Sequence, residues 1–364
     1  MVVWYVVVGV AGALLVVSTL LSAIQTVVVP RATATRISRV LFVGLRRVMD
    51  VIAPARRSFE FRDRVMALYA PLGLVMLPGV WVVLVTAGFG MMQWAAGVRP
   101  FLDAIFTSGS SVTTLGLIRP DGTDRLAFAV VEAIIGLGLV SLMISYLPTI
   151  YSAFNRRETL VGMLEVRAGL PPSPQVLLTR YQRIGWLDAV DVELFPPWEV
   201  WFADIEESHT SQPSLVFFRS PQPGRSWITA AGCVLDTAAI VASTIERPAS
   251  GQAAVLIRSG FMSLRRIADF FGIVYDDNPA PTDAISIERV EFDELCAALE
   301  ADGIPLKADR DQAWLDYCGW RVNYDAVLLA LCSLVMAPPA PWSSDRMPTR
   351  RPRPRLLRMN RAAR

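Results

Sequence analysis

The sequence predicts an all-α membrane protein with three transmembrane helices, one re-entrant loop and a mostly helical cytoplasmic domain. Of the 364 residues, 53% are hydrophobic and 19% are charged, whereas soluble domains carry about 25% charged residues. The charges are missing from three stretches: residues 2–30 and 65–98 carry none, and residues 126–155 carry only Glu132. Each stretch exceeds the ~20 apolar residues that cross a bilayer core.

The first predicted span occupies residues 1–30. We interpret it as a retained helix and not a cleaved signal peptide, because it is long and no basic segment precedes its apolar run. Nine arginines follow within residues 31–64, so the positive-inside rule places this linker in the cytoplasm and the N terminus outside. The expected location is a cell (inner) membrane, with the C-terminal domain in the cytoplasm.

The basic linker 31–64 contains apolar residues at helical spacing, with arginines between them. These apolar residues are Ile37, Val40, Leu41, Leu45, Val48 and Ile52. One interpretation is a helix in the membrane interface whose arginines meet anionic lipid headgroups. The other is a helix packed on the cytoplasmic domain. The Arg- and Pro-rich tail 341–364 is predicted to be disordered, and we expect lipid and not nucleic acid as the partner of these basic segments.

Residues 65–156 form the segment with the clearest functional pattern. Predicted spans over about residues 65–88 and 126–154 flank a polar stretch in which seven of eight residues from Thr107 to Thr114 are Thr, Ser or Gly. This stretch is too short and too polar to cross a bilayer. Irregular backbone at membrane depth is tolerated only inside protein or along a watery cavity. The stretch therefore predicts a re-entrant loop: a short helix, then an extended run that presents carbonyls and hydroxyls.

This arrangement resembles the pore of the potassium-channel superfamily over about residues 66–155. The residues that carry the resemblance are Asp103, Ala104, Phe106, Ser108, Thr113, Thr114, Leu115 and Gly116. In that family four such loops surround one axis, and their carbonyls replace the water shell of the ion. The resemblance implies a homotetramer that conducts monovalent cations.

The resemblance also assigns roles to individual residues. Thr113, Thr114, Leu115, Gly116 and Leu117 would line the filter. The residues that would support the pore are Asp103, Ser108 and Glu132. The third span would be the inner pore helix, with Gly136 or Gly138 as its hinge; close helix packing is the alternative role of these glycines.

Two residues of the outer mouth depart from the family pattern. Ile118 stands where the family has a second glycine, and a β-branched residue does not readily adopt the positive φ that glycine permits. Arg119 replaces an acidic residue, so four copies would form a cation-repelling ring unless Asp121 or Asp124 pairs with it. Single-glycine filters of this kind resemble those of Trk/Ktr-type potassium transporters. The alternative function is a non-conducting membrane receptor or scaffold that signals through its cytoplasmic domain.

Two single ionisable residues have alternative interpretations. Glu132 lies inside the third span, where charge is costly and is a functional candidate by default. It is expected to bond Ser or Thr hydroxyls behind the filter, or to pair with Arg99 or Arg125. His209, the single histidine, is either a pH sensor or a packed structural residue.

Residues 157–340 are predicted to form the helical cytoplasmic domain. The apolar run Trp227–Ile245 is long enough for a fourth span, but we favour a buried helix, because proline and glycine precede it and no partner span follows. The four cysteines have no metal-type spacing, and reduced thiols are expected. No phosphate loop, dinucleotide fingerprint or nucleophile elbow is present, so we expect neither an enzyme nor a cofactor.

Overall fold

The computed structural model describes residues 2–29, 35–118, 122–249 and 251–346. The described residues form helices joined by turns and loops, and they contain no strand. The helices are α1 Val2–Val27, α2 Arg36–Ile52, α3 Phe59–Ala67, α4 Tyr69–Ala95, α5 Phe101–Val112, α6 Thr123–Ala168, α7 Pro174–Arg183, α8 Val190–Glu193, α9 Phe195–Ser211, α10 Trp227–Ser243, α11 Gly251–Phe270, α12 Arg289–Ala301, α13 Arg310–Arg321 and α14 Asp325–Val335.

Three helical stretches of the described chain are long and apolar enough to cross a membrane: Val2–Val27, Phe59–Ala95 and Arg125–Ala168. They confirm the number and approximate position of the predicted apolar helices. The chain divides into two compact units, of which the first ends at Ser152 and the second begins at Ala153.

Glycines allow α1 and α4 to pack closely in the first unit. A Cβ atom at Gly12 would lie 3.0 Å from the Cβ of Met91, and one at Gly88 would lie 2.7 Å from a methyl carbon of Val16. Small residues let helix backbones approach in this way. Beside this contact, α4 contributes Leu77, Trp81, Val85 and Phe89 to the core of the unit.

The second apolar stretch begins differently from the sequence prediction. A single helix from residue 65 was expected, but α3 ends at Ala67 and α4 begins at Tyr69. Pro71 accounts for the break, because its ring clashes with the carbonyl four residues earlier in a continuous helix. Within the first turn of α4 its missing N–H has no consequence.

The basic helix α2 packs within the first unit, against α1 and α4. The Tyr69 hydroxyl donates to the carbonyl of Phe42 at 3.1 Å, and the Phe42 ring fills the space beside Gly73. Thr35, which caps the start of α2, shares a 2.8 Å hydrogen bond with the hydroxyl of Ser22 in α1. These contacts place α2 directly beside two of the long apolar helices.

The second unit is built around α10, which confirms the interpretation of this helix as a buried core element. Every residue of α10 except Ala242 is buried, and its neighbours are α7, α11, α13 and α14. A helix buried on all sides belongs to the interior of a domain.

One buried ionic network holds the second unit together. Arg321 pairs with Asp236 of α10 and, at 2.7 Å, with Asp325. The Tyr324 hydroxyl donates to Asp236 at 2.8 Å, and Arg321 also donates to the carbonyl of Trp342 at 2.7 Å. Part of the predicted tail, residues 341–346, is therefore packed on this unit; residues 347–364 lie outside the described part.

Candidate functional site

The predicted pore helix is α5, a helix of 12 residues between the long helices α4 and α6. It begins after Pro100, and Asp103 lies exposed in its first turn, where a carboxylate complements the helix dipole. It approaches α4 closely, because a Cβ atom at Gly90 would lie 3.2 Å from the Cα of Ile105. At about 1.5 Å per residue, α5 is about 18 Å long and does not span a bilayer core.

The predicted filter residues turn back over the C-terminal end of α5. The amides of Leu115 and Gly116 donate to the Ser110 carbonyl at 2.9 and 3.3 Å, and the amide of Ile118 donates to the Ser110 hydroxyl at 3.2 Å. Thr114 and Gly116 adopt positive φ angles of 57° and 66°. The predicted extended run is therefore a tight turn in the single chain.

The same segment presents its side chains to the outside of the unit. Thr113 and Thr114 use their hydroxyls locally, on the carbonyls of Gly109 and Thr113 at 2.6 and 2.7 Å. Leu115 and Leu117 are 65% and 78% exposed. Ile118, predicted for the outer mouth, is also exposed, and Arg119 lies outside the described residues.

Glu132 lies in the interior of the first unit, behind α5. Its Oε1 lies 2.6 Å from Nε2 of Gln93 in α4, and Ser108 and Ser111 of α5 lie beside the same carboxylate. The two arginine partners considered from the sequence interact elsewhere. Arg99 stacks on the rings of Tyr5 and Trp94, and Arg125 reaches the carbonyl of Ala96 at 3.5 Å.

The two predicted hinge glycines have different surroundings. Gly136 is buried against the last residue of α5, where a Cβ atom would lie 2.8 Å from the carbonyl carbon of Val112. Gly138 is exposed, and no atom would lie within 4 Å of its Cβ. Close packing therefore accounts for Gly136, whereas the hinge role of Gly138 remains a prediction.

His209 lies in the second unit, buried beside Arg157. Burial, followed by the charge of Arg157, holds the pKa of His209 well below its ordinary value of 6.5. Because an arginine only donates, Nε2 of His209 accepts its N–H at 3.2 Å, and Nδ1 then carries the proton and faces the Ser208 hydroxyl at 3.1 Å. This environment favours the structural role over the pH sensor.

Arg157 is the residue whose environment the sequence did not reveal. It follows the predicted third span, where an arginine is expected to face water or headgroups, yet it is 1% exposed. Its guanidinium donates at 2.8 Å to Glu158 and to the carbonyls of Leu215 and Phe218. These carbonyls lie some 60 residues further along the chain, so no local pattern predicts the contact.

The described residues contain no group of three or more His, Cys, Asp or Glu side chains that could hold a metal ion. No family model matches the chain, and no curated protein and no solved structure matches it. The function is therefore inferred from the geometry described above.

Proposed function

We propose that the three long apolar helices insert in a cell membrane and that the second unit lies in the cytoplasm. Most of the large side chains exposed on α1 are apolar, as expected of a surface in contact with lipid. The nine arginines of residues 31–64 and the eight of residues 346–364 lie on one side of the bilayer in this topology. That arrangement agrees with the positive-inside rule.

Within this topology the protein acts as an ion channel with a homotetrameric pore for monovalent cations. The observation that carries the proposal is the half-length helix α5, flanked by two long apolar helices and followed by the exposed, non-helical turn 113–118. Inside a bilayer, exposed backbone of this kind requires protein or a watery cavity around it. One copy provides neither, whereas four copies around an axis provide both.

The distribution of side chains on α6 supports its role as the inner helix. One side is buried and includes Glu132, Gly136 and Leu139. A second side exposes large apolar residues. A third side exposes Gly138, Ser141, Ser145 and Thr149, which lie together at 100° per residue, and nearer the start of α6 the same side exposes Val131 and Ile134. The proposal assigns the second side to lipid and the third to the central cavity.

The amphipathic helix α2 would lie at the cytoplasmic interface, beside α1 and α4. Arg36 and Arg47 are exposed, and so are Val40, Val48 and Val51, which are 73%, 53% and 80% exposed. Apolar residues beside arginines suit the boundary between acyl chains and anionic headgroups. Anionic lipids are therefore the proposed partners of this helix.

A non-conducting receptor or scaffold is the second candidate. The observation that favours it is the turn after α5, where the Ser110 carbonyl accepts the amides of Leu115 and Gly116. A conducting filter would instead run extended from Thr113 with its carbonyls toward the axis. Ile118 in the place of the second family glycine also favours the scaffold.

Planar-bilayer recording of purified, reconstituted protein under a potassium chloride gradient separates these functions. The test variant is Gly116→Asp, and the matched control is Gly185→Asp. Both glycines have positive φ angles, 66° and 73°, and no atom would lie within 4 Å of either Cβ. The two variants therefore carry the same kind of backbone strain and no clash, so they are matched in their effect on folding, but only Gly116→Asp would place four carboxylates in the filter.

A current that reverses near the potassium potential, is lost in Gly116→Asp and persists in Gly185→Asp would support the channel. A current that reverses near zero would support a pore without ion selectivity. A current that reverses near the chloride potential would indicate that Arg119 forms an anion-attracting ring. The absence of any current from a stable tetramer would favour the scaffold. A detergent-solubilised protein that is monomeric at every concentration would refute the pore.

A further inference from the structure

Three polar side chains from three helices meet in the interior of the first unit. Gln93 of α4, Ser108 of α5 and Glu132 of α6 are each 0% exposed. The amide of Gln93 lies 2.6 Å from one carboxylate oxygen of Glu132, and Ser108 lies beside the same carboxylate. The cluster therefore connects the helix before the proposed filter to both of its long neighbours.

Each of these side chains has a polar atom without a hydrogen-bond partner within the described part of the chain. These atoms are Oε2 of Glu132, Oε1 of Gln93 and Oγ of Ser108. An unpaired buried polar atom costs about 1–3 kcal/mol, and a charged one more. A carboxylate only accepts hydrogen bonds, but a carboxylic acid also donates one. The Ser108 hydroxyl has its own hydrogen to donate, but the amide oxygen of Gln93 has no donor beside it, and a proton on Glu132 would supply one.

The distance between Glu132 and Gln93 agrees with such a proton. N–H···O bonds measure about 2.7–3.2 Å and O–H···O bonds about 2.5–3.0 Å, so 2.6 Å suits a hydroxyl donor. The oxygen and nitrogen of a glutamine amide are distinguished only by their hydrogen bonds. Turning the amide of Gln93 places its oxygen opposite an acid hydroxyl of Glu132.

Among the described residues, no cation lies beside Glu132 to balance its charge, and Arg119 lies outside them. The helices α1 and α4 contain no charged residue, and Asp103, the one charged residue of α5, is exposed in its first turn. Arg99 stacks on two aromatic rings, and Arg125 approaches the carbonyl of Ala96. The side chain of Asp124 lies outside the described part. A carboxyl group buried without a counter-charge takes up a proton and does not remain ionised.

We propose that this cluster is a proton-binding site in which Glu132 carries a proton at neutral pH and donates it to the amide oxygen of Gln93. Binding joins a solvent proton to one carboxylate oxygen, and release returns it to solvent. An ionised Glu132 would leave a buried negative charge with only neutral donors, the Gln93 amide and the serine hydroxyls, beside it, so the bound proton helps to hold α5 against α4 and α6. The proposal depends on the geometry of the first unit and is independent of ion conduction.

Infrared difference spectra of the reconstituted full chain at neutral pH test the site. A protonated carboxylic acid has a carbonyl band that shifts in heavy water, and we expect Glu132→Gln to remove this band. The matched control is Glu165→Gln, because Glu165 forms an ion pair with Arg225 and should contribute carboxylate intensity only. Glutamine preserves the size of both side chains.

If Glu132→Gln removes carboxylate intensity and leaves every acid band unchanged, the proposal is overturned. It is also overturned if the Glu132 carboxylate band changes when potassium is replaced by a large organic cation, because a metal cation then occupies the site. If Glu132→Gln does not fold, Gln93→Leu provides the test. The acid band should then move to the frequency of an acid without a hydrogen bond, and an absent or unmoved band contradicts the proposal.

Discussion

Two glycines of α6 allow the packing of α5 to be tested with one substitution at two positions. At Gly136 an added Cβ would lie 2.8 Å from the carbonyl carbon of Val112 and 3.2 Å from its Cα. These are backbone atoms, so relief requires the end of α5 to move away from α6. At Gly138 nothing lies within 4 Å. Both changes to alanine add the same helix propensity, worth about 0.5–1 kcal/mol, so the difference between the variants isolates the clash.

Overpacking of this kind costs about 1–3 kcal/mol. For a unit of this size, 1 kcal/mol corresponds to about 2–4 °C in melting temperature, so Gly136→Ala should melt about 2–12 °C below Gly138→Ala. The assay heats the detergent-solubilised full chain and uses size-exclusion chromatography to measure the fraction that stays folded at each temperature. Equal melting temperatures would refute the close contact between α5 and α6. A Gly138→Ala channel of normal stability but altered opening would support Gly138 as the hinge.

Three further predictions concern α2 and the second unit. Phosphatidylglycerol should stabilise the protein against heat more than phosphatidylcholine does, and Arg47→Gln should reduce this difference by about 1 kcal/mol. The control Arg183→Gln changes an exposed arginine of the second unit and should leave the difference unchanged. Asp236→Ala should lower the free energy of unfolding by about 3–5 kcal/mol, measured by urea unfolding with tryptophan fluorescence, because it leaves Arg321 buried without its partner in α10. A smaller loss would show that Asp325 is sufficient to balance the charge of Arg321. The pKa of His209 is depressed, so its contribution to stability is present above pH 6.5 and is lost as the pH falls below that value. His209→Gln should therefore flatten the acid side of the melting profile, and an unchanged profile would exclude this residue as its cause.

The long apolar helices were predictable because a lack of charge is a local property of the sequence. Residues 2–30, 65–98 and 126–155 contain one charge among them, and the structure has a long apolar helix over each. The burial of α10 was predictable for a different reason: its apolar run is long enough to span, but proline and glycine precede it and no partner span follows. The break at Leu68 was missed because a proline such as Pro71 is compatible both with a kink inside a membrane helix and with the first turn of a new helix.

The contacts of the candidate site were less predictable, because they join residues far apart in the sequence. Gln93 and Glu132 are 39 positions apart, and Arg157 and Phe218 are 61 positions apart. Helix periodicity specifies which side of a helix is apolar, but it does not specify which polar side chain meets which. The interpretation of Glu132 as a residue behind the pore helix followed from its depth in the span, whereas its partner Gln93 carries no distinguishing sequence signal.

Two buried carboxyl groups show how the surroundings determine what an acid does. Glu132 and Asp236 both interrupt an apolar run, and by sequence alone they are equivalent candidates for a costly buried charge. Asp236 meets Arg321 and the hydroxyl of Tyr324, so its negative charge has a cation and a donor beside it. Glu132 contacts an amide and two serines, and no cation lies beside it among the residues that the structure describes. An ion pair is the favourable state for the first acid and a bound proton for the second, so only Glu132 offers a site that can exchange a proton without breaking an ion pair.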